Sequence, residues 1–222
     1  MKKLLFFAAA IAFAALTACS GGGKKNGSTD STKSKDSTSA KAPVGTGMYK
    51  MKSGIIEQTM TEMGMTSNIT TWFDDYGNKR ATETKTDMGM VKMDKMNLVK
   101  EGYDYSFDVI KKTGTKTKIP AMGDNKNINF NNLSDEMMKQ MKISKLGTEV
   151  VMGKTCDKYS MDDATMKTKS TFCVWNGIPM KTEMEVMGMK VTTITNKLEE
   201  NASVPADKFE IPADVKITDL GK

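Results

Sequence analysis

The sequence predicts a mainly β domain of the α+β class, built from antiparallel hairpins with one short helix. Short runs rich in Thr, Val, Ile and aromatic residues are separated by Gly, Asn and Asp, a pattern typical of strands and tight turns. Apolar and charged residues alternate within several runs, as expected for strands with one buried face. Residues 48–222 are numerous enough to form one domain with its own core.

The first residues of the chain predict a bacterial lipoprotein signal peptide over residues 1–18. Lys2 and Lys3 precede the apolar run Leu4–Leu16, which is too short to span a bilayer and ends in small residues. The sequence Leu16-Thr17-Ala18-Cys19 resembles the lipobox, which implies cleavage before Cys19 and lipid modification of that residue. An ordinary signal peptide or a short membrane anchor are the alternatives.

The residues after the signal predict a lipidated cysteine and a flexible tether over residues 19–47. Gly, Ser, Thr and Lys dominate there, so the segment has too little apolar surface to offset the entropy of ordering it. Random-coil scaling gives an end-to-end distance of ~30 Å. Several acyl chains on Cys19 would hold the protein at a membrane without a transmembrane helix.

The formal charge of +6 does not indicate a nucleic-acid partner. Most of the excess belongs to the lysines of the signal and the tether, which leaves residues 48–222 with about +1. A nearly neutral domain lacks the basic surface that phosphate binding requires. Nucleic acid is therefore excluded as a partner.

Turn signals divide the domain into hairpins. Asp74–Asn78, Lys100–Gly102 and Asn176-Gly177 separate extended runs, and Met-Gly occurs five times. Glycine accepts the positive φ of tight turns, so several of these pairs are expected at hairpin tips. The five pairs begin at Met63, Met88, Met122, Met152 and Met187.

Two of these turns predict a face rich in methionine. With Met187-Gly188 as a two-residue turn, Val186 pairs with Met189 and Met184 with Val191, while charged residues fall on the other face. The same treatment of Met63-Gly64 gathers Met60, Met65 and Phe73 on one side. The candidate residues for an apolar ligand are Met60, Met65, Phe73, Met137, Met141, Met180, Met184 and Met189.

One helix is expected near residues 133–141. Leu133, Met137 and Met141 are spaced by four, and Ser134 with the acidic residues that follow suits a capped first turn. A short apolar helix in a β domain is expected to cover an open sheet face. The tail Val204–Pro212 predicts a turn followed by an edge segment, because proline cannot donate ladder hydrogen bonds.

Cys156 and Cys173 predict a disulfide. If their two strands form a hairpin that turns at Ala164-Thr165, the two cysteines face each other, as suits an exported protein. A redox pair or a soft-metal site is the alternative. The sequence has neither a Cys-x-x-Cys motif nor a histidine to mark a reactive thiolate.

Catalytic patterns are not found in the sequence. Without histidine there is neither a Ser-His-Asp triad nor a histidine metal site, and no Gly-rich phosphate loop follows a strand. The carboxylate pairs Asp74-Asp75 and Asp162-Asp163 occur where turns are expected. We therefore expect a protein that is not an enzyme and has no cofactor.

Methionine provides an alternative, because the chain has 21 of them. Met88, Met90, Met93 and Met96 have the thioether spacing of periplasmic Cu(I) and Ag(I) carriers, and soft thioethers select Cu(I). Methionine also fills irregular cores and forms adaptable apolar surfaces. A pliable lining for an apolar ligand, or plain core, is favoured over the metal site.

Four segments carry a resemblance to a family: Gly77–Glu83, Gly153–Tyr159, Val174–Glu183 and Val204–Pro212. Together they resemble uncharacterised Bacteroidota lipoproteins near the LolA, LolB and LppX group. The resemblance implies a curved antiparallel sheet, an open half-barrel with helices on its concave face, whose hollow holds acyl chains.

The function expected from the resemblance is non-catalytic binding of a hydrophobic ligand, or handling of lipoproteins, at the outer membrane. The residues after Cys19 lack the acidic cluster that resembles a surface-export signal, which favours a position facing the periplasm. A Cu(I) or Ag(I) carrier and a structural or envelope-assembly protein are the alternatives.

Overall fold

A computed structural model describes residues 47–119, 128–163 and 168–221 of the chain. The expected signal peptide, the lipidation site Cys19 and the tether up to residue 46 lie outside the described residues. So do the Met122-Gly123 pair and the expected turn at Ala164-Thr165. None of the helices in the described part has the length and apolar character needed to cross a membrane.

The described residues form one open sheet of twelve strands in the order β12-β6-β5-β4-β3-β2-β1-β11-β10-β9-β8-β7. All neighbours are antiparallel except β12 and β6, which are parallel. This confirms the predicted mainly β class and open antiparallel sheet. The strands are β1 Gly54–Glu62, β2 Met65–Asp74, β3 Lys79–Asp87, β4 Lys92–Lys100, β5 Tyr103–Asp108, β6 Thr113–Lys118, β7 Ile143–Val151, β8 Lys154–Asp163, β9 Thr168–Trp175, β10 Ile178–Val186, β11 Met189–Glu200 and β12 Lys216–Asp219.

Two-residue turns set the register of most hairpins, as predicted. At Met63-Gly64 the φ angles are 49° and 80°, and at Met187-Gly188 they are 53° and 82°. Two successive positive φ values identify type I′ turns, whose twist matches that of the flanking strands. Glu62 therefore pairs with Met65, and Val186 with Met189. The expected turns at Glu101-Gly102 and Asn176-Gly177 have the same geometry.

Two apolar cores pack against the sheet. The first core includes Tyr49, Met51, Ile56, Phe73, Val151, Cys156, Cys173, Ile178 and Met180. The second core is formed by Ala81, Leu98, Phe107 and Phe209. Phe209 is 2% exposed and lies in a 3₁₀ helix, Ala206–Phe209, that precedes the edge strand β12. The C-terminal segment thus supplies part of the second core.

The predicted helix is present but short. Helix α1 comprises Asp135–Gln140, and the Ser134 hydroxyl accepts a hydrogen bond from the Met137 N–H at 3.2 Å. This confirms the expected cap at Ser134. None of the residues of α1 is buried, and the helix contacts β7 at the edge of the sheet.

Candidate functional site

One face of the sheet carries a set of methionines, and we call it the methionine face. Met60 of β1 lies between Thr193 of β11 and Ser67 of β2. Met184 pairs with Val191, which itself pairs with Glu62 and so shares a face with Met60. Side chains in register across neighbouring strands project to the same side. As the sequence predicted, this register places five candidate residues on the methionine face: Met60, Met65, Phe73, Met184 and Met189.

The same face has further methionines that the sequence reasoning missed. Met161 of β8 pairs with Ser170, which pairs with Met184 of β10. At the other side Met93 of β4 pairs with Thr86, which pairs with Ser67. Alternation of Tyr159 and Met161 with polar residues could have indicated the first of these. Only strand order could have placed either residue beside the others.

Met180 lies beyond a register shift in β10 and belongs to the first core. The pairing of β10 with β9 shifts between Pro179 and Lys181, so strict alternation ends there. Met180 is 0% exposed and packs with Ile56 and Phe73 in the first core. Like Phe73, this predicted ligand residue is therefore fully buried in the first core.

A hollow of about 260 Å³ opens on this part of the sheet. It is lined by Tyr49, Ile56, Gln58, Thr71, Ile178, Pro179, Thr182 and Thr193. Met60 is the register partner of Thr193, and Thr182 pairs with Thr193 from the other side. The lining thus combines four apolar or aromatic side chains with three threonine hydroxyls and one amide, and none of the predicted ligand residues is among them.

The hollow lies where two neighbouring strands separate. The pairing of β10 with β11 covers Lys181–Val186 and does not extend to Pro179. The Gln58 side chain bridges the gap, because its Nε2 donates to the Pro179 carbonyl and to Thr195 Oγ1, each at 3.1 Å. These bonds satisfy a backbone carbonyl that the strand pairing leaves free, and they hold the wall of the hollow in place.

Segment 47–53 closes the hollow at one end of the sheet. The Tyr49 N–H donates to the Tyr76 carbonyl at 2.9 Å, and the Lys50 N–H donates to the Asn176 carbonyl at 3.0 Å. The Tyr49 ring meets Phe73 edge to face, with centroids 4.7 Å apart. Burial raises the pKa of the Tyr49 hydroxyl above its usual value, so the hydroxyl stays neutral.

The expected helix residues lie apart from this hollow. Met137 is 37% exposed on α1, and Met141 is the residue at which the helix ends. Neither residue lines the hollow. The ring of Phe130 packs instead on the neighbouring strands β8 and β9. Its centroid lies 5.4 Å from that of Tyr159 and 5.4 Å from that of Phe172.

The residues of the alternative metal site do not converge. Met93 and Met96 project from opposite faces of β4, because Met96 pairs with Glu83 and Met93 with Thr86. Met90 is fully exposed in the connection that precedes β4. In the described part of the chain, no group of three or more His, Cys, Asp or Glu side chains could hold a metal ion. This geometry does not favour the Cu(I) alternative.

The predicted disulfide was wrong in register. Cys173 pairs with Lys158, so Cys156 lies two residues away from the facing position. Diagonal neighbours on paired strands are about 7–8 Å apart, beyond the Cα separation of about 4.4–6.8 Å that a disulfide spans. Both thiols are free and buried. Asp163 of β8 pairs with Thr168 of β9, a register two residues away from the one that the prediction assumed.

Cys173, a residue of the first core, contacts a cluster of charged side chains beside that core, whereas the Cys156 thiol donates to the Lys154 carbonyl at 3.4 Å. Glu149 pairs with Cys156 and accepts hydrogen bonds from Lys158 Nζ at 2.7 Å and Lys181 Nζ at 3.1 Å. The Cys173 thiol donates to the same carboxylate at 3.2 Å. Burial and the adjacent Glu149 carboxylate raise the pKa of Cys173 to about 11, so the thiolate that nucleophilic chemistry needs is disfavoured.

The carboxylate pair at Asp74-Asp75 has a structural role. Asp74 Oδ1 accepts a hydrogen bond from the Asp75 N–H at 2.8 Å at the start of a 3₁₀ helix, Asp75–Gly77. This is the turn chemistry expected from the sequence. The second carboxylate pair, Asp162 and Asp163, lies at the end of β8. There Asp162 pairs with Lys169 of the neighbouring strand β9.

Comparison with known proteins gives a likeness of fold at very low identity. No family model matches the chain, and no curated protein sequence matches it. An uncharacterized conserved protein from Thermus thermophilus is 6% identical, with a TM-score of 0.53 over 76% of this chain and 91% of that chain. This likeness shows a shared fold.

Two further solved structures are similar at lower TM-scores. One is the MucA/MucB complex of Pseudomonas aeruginosa, at 12% identity and a TM-score of 0.47 over 75% of this chain and 58% of that chain. The other is a LolA superfamily protein from Nitrosomonas europaea, at 8% identity and a TM-score of 0.38 over 73% and 91% of the two chains.

Proposed function

We propose that the protein is a non-catalytic lipoprotein of the cell envelope that binds an acyl chain in the hollow of the methionine face. The observation that carries the proposal is the hollow itself, which lies between Ile56 and Ile178 on the face that collects the methionines. Tyr49, Ile56, Ile178 and Pro179 supply the apolar part of the lining, whereas the methionines of the face lie outside it. The ligand is a free lipid or the acyl group of a lipidated protein.

The size of the hollow sets the class of ligand. Its volume of about 260 Å³ is slightly below the ~300 Å³ at which pockets for drug-sized ligands begin. One slender chain suits this space better than a bulky ring system. The hydroxyl groups of Thr71, Thr182 and Thr193 add a few polar contacts without charge.

The proposed location follows from the start of the sequence. Cleavage before Cys19 and its acylation would anchor the chain, and the residues that follow favour the periplasmic face of the outer membrane. The anchor is tested by metabolic labelling with a fatty acid in the full chain. We expect label in the wild type and none in Cys19→Ser, and label retained in Cys19→Ser would contradict the anchor.

Ligand binding is tested by displacement of a fluorescent fatty acid from the full chain. Thr193→Trp places a large ring in the hollow, whereas Thr192→Trp places the same ring on the opposite face of the same strand. We expect Thr193→Trp to weaken binding by roughly tenfold or more, since a filled pocket excludes its ligand. The matched Thr192→Trp variant should bind as the wild type does.

The source of the acyl chain is distinguished by the competitor. Free fatty acid and a synthetic acylated peptide are compared at equal concentration, and an organic extract of the purified chain is analysed by mass spectrometry. Stronger competition by the peptide would indicate lipoprotein handling. An extract without lipid, together with no uptake of the fluorescent fatty acid, would overturn the proposal.

A further inference from the structure

Hairpin tips at one end of the sheet expose a row of apolar side chains. We define the methionine rim as Met63, Met65, Met88, Met90, Val91 and Met187, which are 41–100% exposed. The β1–β2 turn, the β3–β4 connection and the β10–β11 turn supply them. Antiparallel pairing in the order β4-β3-β2-β1-β11-β10 brings all three connections to the same end.

The backbone at this rim is unfavourable for methionine. Met63 and Met187 occupy the first position of type I′ turns, with φ of 49° and 53°. Asn, Asp and Gly are strongly preferred there, and a bulky residue at positive φ is strained. At the opposite end, Glu101 and Asn176 fill the same position in two turns, although Met152 repeats the Met-Gly pair once. Methionine at the rim thus costs conformational energy and leaves apolar surface in water.

Local packing does not explain these side chains. Met63 is 71% exposed and Met187 is 78% exposed. A Cβ added at Gly64 or Gly188 would meet no atom within 4 Å, so the tips stand clear of the rest of the described structure. With strands about 4.8 Å apart, the three connections spread over about 20 Å. Exposed apolar patches of this kind mark sites of protein or membrane contact.

We propose that the methionine rim docks on the surface of a lipid bilayer. The apolar groups stand on three separate connections, which suits a fluid surface better than a shaped partner. Charged residues of both signs flank the tips: Lys92 pairs with Asp87 at 3.9 Å, Lys190 follows Met189, and Glu62 and Glu185 lie beside the two turns. Long basic side chains beside apolar ones extend to the headgroups while their neighbours enter the apolar layer.

The position of the N-terminal segment is compatible with this contact. The described chain begins at Gly47, which lies against Tyr76 at the end of the sheet opposite the rim. The nine-residue strand β1 spans about 30 Å, and the tether predicted from composition has a similar end-to-end distance of ~30 Å. A chain anchored at Cys19 can therefore bring its rim to the same membrane. The inference does not depend on ligand binding in the hollow, which the experiment leaves unprobed.

The test places a spin label at the tips of the full chain. Single variants Met90→Cys and Met187→Cys are labelled, and Glu101→Cys is the matched control at a type I′ turn of the opposite end. Native Cys156 and Cys173 are 0% and 2% exposed, Cys19 lies outside the described residues, and labelling of the unsubstituted chain measures the background from all three. Accessibility to oxygen and to a water-soluble nickel chelate is measured in vesicles of phosphatidylethanolamine and phosphatidylglycerol.

We expect the rim labels to gain oxygen accessibility and to lose nickel accessibility at least threefold on vesicle binding, whereas the Glu101 label stays in water. A second variant, Met63→Asn with Met187→Asn, installs the residue that type I′ turns prefer and so keeps the fold. Protection at Met90→Cys should fall in that background. Equal nickel accessibility at both ends, or protection in whole cells with none in protein-free vesicles, would overturn the proposal.

Discussion

The two ends of the sheet use the same turns in different surroundings. At the rim end, the Met-Gly tips at 63–64 and 187–188 stand in open space. At the other end, segment 47–53 and residues 128–132 cover the β2–β3 and β9–β10 turns, and Asn131 Nδ2 donates to the Met48 carbonyl at 2.8 Å. Turn chemistry fixes strand register at both ends, but tertiary packing adds stability at the covered β2–β3 and β9–β10 turns, whereas the tips at Gly102 and Gly153 of the same end stand free.

This comparison predicts that side chains of one strand differ sharply in their contribution to stability. Phe73, at the covered end of β2, is 0% exposed against Tyr49, whereas Met65, at the rim end, is 42% exposed. Phe73→Ala should lower the free energy of unfolding by about 3–5 kcal/mol, because it opens a cavity in the first core. Met65→Ala should change it by less than about 0.5 kcal/mol. Urea unfolding of both variants measures the contrast, and similar losses would contradict it.

A pair of glycines separates backbone strain from packing. Gly177 and Gly188 have φ of 83° and 82°, so alanine is equally strained at both. A Cβ at Gly177 would also lie 2.5 Å from Asn131 Nδ2 and would press against the Met48 carbonyl. Gly188→Ala should cost about 1–2 kcal/mol from strain. In thermal unfolding of both variants, Gly177→Ala should lower the free energy of unfolding by more than Gly188→Ala does. Equal losses would show that the segment covering Gly177 moves aside without an energetic cost.

The sequence predicted those parts of the sheet that two-residue turns determine. Met187-Gly188 and Met63-Gly64 each fix a register through local φ preferences, so Met60, Met65, Met184 and Met189 were placed on one face correctly. The cysteine hairpin was misaligned because its turn was assumed at Ala164-Thr165 without a glycine or asparagine signal. A shift of two residues keeps both cysteines on one face but separates them.

The hollow was beyond sequence reasoning because distant segments form it. Gln58 and Pro179 meet through the pairing of β1 with β11, two strands that are far apart in the chain. The register shift near Pro179 also breaks the alternation on which the prediction of Met180 rested. Tyr49 lies in a segment without strand or helix pattern, so its position over Phe73 had no sequence signal.

The contact that covers the β9–β10 turn can be weakened without a substitution in any strand of the sheet. Asn131→Ala removes the hydrogen bond to the Met48 carbonyl and should lower the free energy of unfolding by about 1 kcal/mol. Asn68→Ala, at an exposed position of β2, is the control and should stay within about 0.5 kcal/mol. Hydrogen exchange at Tyr49 and Lys50 should speed up in Asn131→Ala alone. Unchanged exchange there would show that Asn131 does not hold the segment.

The smallest expected effect is a pH-dependent one, from the cluster beside the first core. Hydrogen bonds from Lys158, Lys181 and the Cys173 thiol lower the pKa of Glu149 from 4.5 to about 2. Because the folded-state pKa is the lower one, the stabilisation is fully present above about pH 4.5 and is lost as the pH falls toward 2. Glu149→Gln should therefore be less stable than the wild type at pH 6, by no more than about 1 kcal/mol for these partly exposed groups. The difference should shrink between pH 4.5 and 2 in urea unfolding, and a difference independent of pH would show that the ionised carboxylate is not the stabilising species.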